Sequence, residues 1–168
     1  MIKDLSPHEF DAILRSDLGY FAECCFYKLN PQAAFLPNWH IEVIAAKLAA
    51  VAQGKIPRLI INLPPRHLKS LIASIAFPAW CLGHDPSAQI LCVSYAQDLA
   101  DKLARDCRSV MTSPWYRRIF PTRLAPHRQA VQEFMVLPTR LPLEEFRRPY
   151  RPQGPGSPIS AFCSRRLL

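Results

Sequence analysis

The segment of this sequence best equipped for chemistry is Leu63-Pro64-Pro65-Arg66-His67-Leu68-Lys69-Ser70. A short apolar run from Arg58 to Leu63 precedes it, and an apolar stretch from Ser70 to Leu82 follows. A buried strand, a tight loop and then Lys-Ser at a helix start is a setting in which backbone amides and the helix N-terminus surround phosphate oxygens. There Lys69 reaches the outer phosphates and the Ser70 hydroxyl ligates Mg²⁺. Against the pattern G-x-x-x-x-G-K-S/T only the final Lys-Ser matches, because Leu63 and Leu68 stand at the two glycine positions. Loops of this kind commonly use a left-handed residue at the second of these, where Leu costs about 1–2 kcal/mol. Pro64 and Pro65 stiffen the loop and remove two donors. The plain alternative for Lys69-Ser70 is a solvated helix terminus.

Positioning such a loop requires ordered elements on both sides, and the sequence has them. Ser6-Pro7-His8-Glu9 is a capping box with Pro at the first helical position, so a helix is predicted to start there and bury Phe10, Ile13 and Leu14. A second helix is predicted from about Gly19 to Leu29, stopping at Asn30-Pro31. Ile41, Ile44, Leu48 and Val51 recur at helical spacing and mark an amphipathic helix from about Asn38 to Gly54. The runs Arg58–Leu63 and Gln89–Ser94 read as buried strands, and Pro78 interrupts the helix between them. Leu99, Leu103, Cys107, Val110 and Met111 form one face of a charged helix ending near Ser113-Pro114. Strand, loop, helix, strand, helix is the beginning of an α/β parallel sheet.

Composition limits the rest. The 168 residues, 49% of them hydrophobic, allow one domain with a real core. No apolar run approaches the roughly 18–20 residues of a membrane span, and Met1 to Pro7 lacks a signal-peptide pattern; a cytoplasmic location is expected. Cys24, Cys25, Cys81, Cys92, Cys107 and Cys163 show no C-x-x-C spacing, so buried reduced thiols are expected rather than zinc ligands or disulfides. The net charge of +8 points to an anionic partner such as nucleic acid. Residues 1–134 hold 15 basic and 11 acidic residues, while 135–168 hold six Arg, two acids and six of the 17 prolines. Three parts are therefore expected: 1–54, a helical lead-in; 55–134, the partial domain with the loop; and 135–168, a disordered or irregular Arg/Pro tail.

The run INLPPRHLKS, followed by FPAWCLGHDPSAQILCVSYAQDLADKLARDCRSVMTSPWYRRIFP, resembles the N-terminal ATPase region of phage and prophage terminase large subunits. In that family a Pro-Pro-Arg-His-Gly-Lys-Ser type loop is the Walker A motif, and Ser-Tyr-x-x-Asp-Leu-Ala and Ser-Pro-Trp-Tyr segments are similarly placed. The resemblance covers most of residues 1–134. It implies an incomplete P-loop NTPase of RecA-like parallel-sheet fold, with ATP and Mg²⁺ held at Pro65, Arg66, His67, Leu68, Lys69 and Ser70. Arg66 matches the loop arginine that could stabilise charge on a transferred phosphoryl group; a surface arginine held in a loop is its other reading. Trp39 and His40 match an upstream segment near the adenine, where an aromatic can stack on a base. The other reading of Trp39 is a helix-start residue packed on the core. An intact family member is an ATP-driven motor and nuclease that packages double-stranded viral DNA into procapsids, with the portal and small terminase subunit as partners.

Departures from the family narrow that implication. Leu68 replaces the usual Gly, and no apolar run ends in the paired acids of a Walker B motif. The nuclease domain is missing as well, and the similarity stops at about Glu133-Phe134. A truncated terminase fragment is expected, binding ATP at most, without hydrolysis or nuclease activity, and with an unpaired edge on its central sheet. The tail reads as out-of-frame translation, since G+C-rich codons out of frame yield Arg, Pro, Ser, Gly and Leu. Coding DNA that lacks the glycine-rich region and Walker B in both alternative frames beyond codon 134 would contradict that origin. A basic nucleotide- or DNA-binding accessory module of a packaging complex is the alternative.

Overall fold

The structure, a computed structural model, describes residues 6–129 and 134–138. The chain begins with α1 (Pro7–Ser16) and α2 (Leu18–Leu29), followed by α3 (Trp39–Ala52). The capping box forms as predicted: Glu9 N–H donates to Ser6 Oγ (3.3 Å) and Ser6 N–H to Glu9 Oε2 (2.8 Å). That reciprocal bonding satisfies two of the orphan donors at the helix start, and the Ser6 hydroxyl (2.7 Å) and then its N–H, both donating to the carboxylate, hold the Glu9 carboxyl below the usual range. Asp17 ends α1 and caps α2 through Gly19 and Tyr20 N–H.

One continuous helical rod runs from residue 69 to 84. It consists of α4 (Lys69–Leu71), a π-helical turn (Ile72–Ala76) and α5 (Phe77–His84). Pro78 explains the turn. Proline has no N–H to donate, and its ring clashes with the carbonyl four residues back, here that of Ser74. Widening the turn, so that Phe77 N–H bonds Ile72 O, lets the helix continue past it. The sequence pattern predicted an interruption at Pro78, and the helix absorbs it as a bulge. Ser74 Oγ, buried beside the distortion, has no hydrogen-bond partner among the described residues. Then come α6 (Gln97–Met111) and α7 (Pro114–Ile119), the latter capped by Ser113 Oγ. A ribbon of β1 (Thr122–Gln129) and β2 (Phe134–Pro138) completes the described residues.

The parallel sheet does not form. Among the described residues the only strand pairing is antiparallel, β1 with β2, in the register Thr122↔Pro138 to Leu124↔Val136. Residues 58–63 and 89–94 have the composition of strands but no regular secondary structure. The first lays alternate side chains (Leu59, Ile61, Leu63) on a helical core and the second only Ile90, with no backbone hydrogen bond between the two. Parallel strands are stable when both faces are covered, and here the outer face of each run is open. The RecA-like fold class is therefore corrected to a helical assembly with an antiparallel ribbon. Of the expected tail, residues 135–138 belong to β2 and the remainder lies outside the described residues.

The core is aromatic and centred on Phe21, which is fully buried. Its ring meets Trp115 (5.4 Å between centroids), Phe120 (6.0 Å) and Tyr116 (6.2 Å), all edge-on. Long-range polar bonds lock the same helices. Tyr116 OH donates to Ala79 O (2.8 Å), and Arg118 makes a two-pronged pair with the buried Asp11 carboxylate (2.8 Å each). His84, as its Nε2–H tautomer, donates to Arg15 O (2.9 Å) while its ring packs against Trp80 and Phe120. Burial holds this imidazole below the usual histidine range. Gly83 is required by close approach, because a Cβ there would lie 2.6 Å from the Phe120 ring.

The cysteines mostly follow expectation. Cys25, Cys81 and Cys107 are buried free thiols, Cys24 is half-buried, and Cys163 lies outside the described residues. Burial raises the thiols, Cys24 to about 11 and Cys107 to about 12, so they remain protonated and inert. Cys92 departs from the pattern, being exposed on the 89–94 run.

Candidate functional site

The loop between the 58–63 run and the helical rod is the most strained stretch of backbone described. Among the described residues, Arg66 (φ 68°) and Leu68 (φ 56°) are the only non-glycine residues with positive φ. Left-handed backbone brings a side chain against its own carbonyl, at a cost of about 1–2 kcal/mol per residue. Such strain concentrates where the surrounding structure forces it, often at ligand sites. Leu68 is therefore left-handed at the position where a phosphate loop uses glycine.

The helix begins directly after this kink. Ile72 N–H donates to Leu68 O (2.9 Å), the first bond of the rod. No side chain caps the start, so the amides of the first turn have no side-chain acceptor. A left-handed residue followed by helical ones turns successive N–H groups toward one side, the geometry of an anion-binding nest. Helix polarity adds partial positive charge at the same place. Lys69 and Ser70, both half-buried, are the first residues of the rod.

Lys69 folds back over the loop, and its Nζ donates to Leu63 O (3.2 Å). That bond ties the end of the 58–63 run to the helix start and closes the loop on itself. His67 Nδ1 lies 2.9 Å from Pro65 O. A carbonyl only accepts, so Nδ1 carries the proton and Nε2 is the ring's second polar atom. Pro64, Pro65, Arg66 and His67 are exposed. Nothing among the described bonds holds the Arg66 guanidinium to an acid, which leaves both readings of that residue open.

The structure brings a second segment against the loop. The His40 ring lies 5.4 Å from the His67 ring, and Trp39 packs edge-on to His40 at 6.2 Å. Trp39 itself is 72% exposed. The reading of Trp39 as a core-packed helix start is therefore corrected: Ile41 and Ile44 supply the buried face of α3, and Trp39 stands at its rim. An exposed indole beside a loop with a helix start and a lysine is suited to stacking on a planar group whose anionic end reaches the loop.

Between Glu42 and Asp85 there is no acidic residue, while Lys47, Lys55, Arg58, Arg66 and Lys69 lie in that stretch. A segment-by-segment charge count at finer spacing shows it. Loop residues 65–70 lie inside that acid-free stretch, while Trp39 and His40 lie just before Glu42. No group of three His, Cys, Asp or Glu side chains converges to hold a metal among the described residues. Ser70 supplies a hydroxyl at the helix start.

No helix among the described residues is long and apolar enough to cross a membrane. Compared with known family profiles, with curated proteins and with solved structures, the chain matches none.

Proposed function

We propose that this chain binds the polyphosphate of a nucleoside triphosphate, ATP in the first instance, at residues 65–70, as a piece of a terminase-type packaging motor. The observation that carries the reading is the left-handed Leu68 immediately before Lys69-Ser70 at an uncapped helix start. Polyphosphate oxygens would take the free amides of the first turn, and Lys69 Nζ would exchange the Leu63 carbonyl for a phosphate. Trp39 and His40, at the loop's rim, would flank the base. Mg²⁺, when bound with nucleotide, would neutralise phosphate charge, with the Ser70 hydroxyl as the ligand this chain offers.

The same reading assigns the chain binding without turnover. Hydrolysis needs an acid to orient the attacking water and help hold the ion, and no apolar run of this sequence ends in the paired acids that would supply it. A cytoplasmic location, and double-stranded DNA, portal and small subunit as partners, belong to this proposal. A basic nucleotide- or DNA-binding accessory module is the second reading, favoured by the net charge of +8.

Equilibrium titration of the full chain with a fluorescent ATP analogue and Mg²⁺ tests the proposal. Saturable binding that Lys69→Ala weakens by about tenfold or more is expected, as for loss of a charge-assisted hydrogen bond. Equal affinity in wild type and Lys69→Ala, with both proteins folded by circular dichroism, would remove the site. Phosphate release above background, lost in Lys69→Ala, would overturn the assignment of binding without turnover.

A further inference from the structure

The run before the loop carries a separate message. Leu59, Ile61 and Leu63 pack toward the helical core, whereas Arg58, Ile60 and Asn62 face out, with Ile60 93% exposed. Burial alternating at every second residue is the signature of an extended chain. Residues 58–63 nonetheless make no backbone–backbone hydrogen bond to any described residue. Among the described residues, the one bond to their main chain is from Lys69 Nζ to Leu63 O. An extended run with a free backbone and an exposed Ile is a template for adding a strand.

We propose that residues 58–63 dock an extended segment of another polypeptide, apolar at alternate positions and acidic at its ends, by strand addition. Charge selects the occupant. Lys55 and Arg58 flank one end of the run, Arg66 and Lys69 the other, and no acid lies between Glu42 and Asp85. A second copy paired antiparallel along the same run would bring these basic ends together, a repulsive arrangement. A nucleic-acid backbone offers neither the strand's alternating donors and acceptors nor an apolar group to cover Ile60. An acid-ended strand satisfies the backbone, covers Ile60 and neutralises the flanks. This inference does not depend on nucleotide binding at the loop.

The test uses the full chain and a fluorescein-labelled peptide, acetyl-Asp-Glu-Val-Thr-Val-Thr-Val-Glu-Asp-amide, followed by anisotropy. Two controls accompany it: the same peptide with Lys at the four acidic positions, and the acidic peptide with alternate backbone nitrogens methylated. The acidic peptide is expected to bind, the Lys-ended peptide about tenfold or more weaker, and the methylated peptide not at all at about 1 mM. Ile60→Lys should weaken the acidic peptide by about tenfold with an unchanged thermal melt, because Ile60 is exposed. Equal binding of acidic and Lys-ended peptides, retained binding of the methylated one, or no binding of the acidic one at about 1 mM would overturn the proposal. A dimer in sedimentation that Ile60→Lys dissolves would also overturn it, by giving the edge to a second copy.

Discussion

The aromatic core and the 55–70 region are built on opposite principles. Around Phe21, three aromatic rings pack edge-on, and Tyr116, Asp11 and His84 each find a distant polar partner. In the 55–70 region two non-glycine residues sit left-handed, an Ile points into water and a helix start lacks a cap. Local preference and tertiary packing agree in the first region and conflict in the second. Such conflict persists only where the surroundings hold it, and it marks functional surfaces more often than stable ones. Here α3 on one side and the rod beginning at Lys69 on the other hold the loop, so the core supports strain that the loop alone could not sustain.

The contrast can be broken most forcefully in the core. Phe21→Ala should cost about 3–5 kcal/mol, as for a fully buried aromatic, and chemical denaturation would show it as a lower midpoint. Gly83→Ala comes next, at about 1–3 kcal/mol, because its Cβ would enter the Phe120 ring space. An unchanged midpoint in Gly83→Ala would mean that Phe120 is not packed against α5 as described.

The loop is sharpened by comparing two substitutions at one position. Both Leu68→Ala and Leu68→Gly remove the same partial packing, but only Gly relieves the left-handed cost. Leu68→Gly should therefore be more stable than Leu68→Ala by about 1 kcal/mol, after allowing for glycine's greater unfolded-state freedom. At a right-handed position the order would be reversed, with Ala the more stable.

The smallest expected effect is in pH. His84 is held neutral by burial, so the unfolded chain takes up a proton at a higher pH than the folded one. Its contribution to stability is complete above the ordinary imidazole range near 6.5 and is lost as pH falls through the lower folded value. Thermal midpoints should fall on acidification below about pH 6.5, and His84→Phe should flatten that part of the profile. An unchanged slope in His84→Phe would assign the acid sensitivity to other groups.

Much of the helical framework was legible because its signals are local. The capping box at Ser6 and Glu9, the spacing of Ile41, Ile44 and Leu48, and the stop at Ser113-Pro114 each depend on residues within a few turns. The order of the loop and its Lys69-Ser70 ending were readable for the same reason, as was the left-handed demand on Leu68. The strands were not. The apolar runs at 58–63 and 89–94 have strand composition, but a strand exists only when a partner supplies hydrogen bonds, and composition does not state whether that partner is present. Of the two readings of Trp39, core packing fails because helical periodicity does not fix which residue stands at the rim of a face. The pairing of Asp11 with Arg118 links residues 107 apart in sequence and has no local signature.

Nucleotide binding at the loop is decided by hydrogen exchange of the full chain with and without saturating ATP and Mg²⁺. Slow exchange is expected in α2, α5 and α7 in both conditions, with nucleotide adding protection at amides 66–72 and at the start of α3. Unchanged exchange across 66–72 at saturating nucleotide, or added protection confined to other segments, would contradict it.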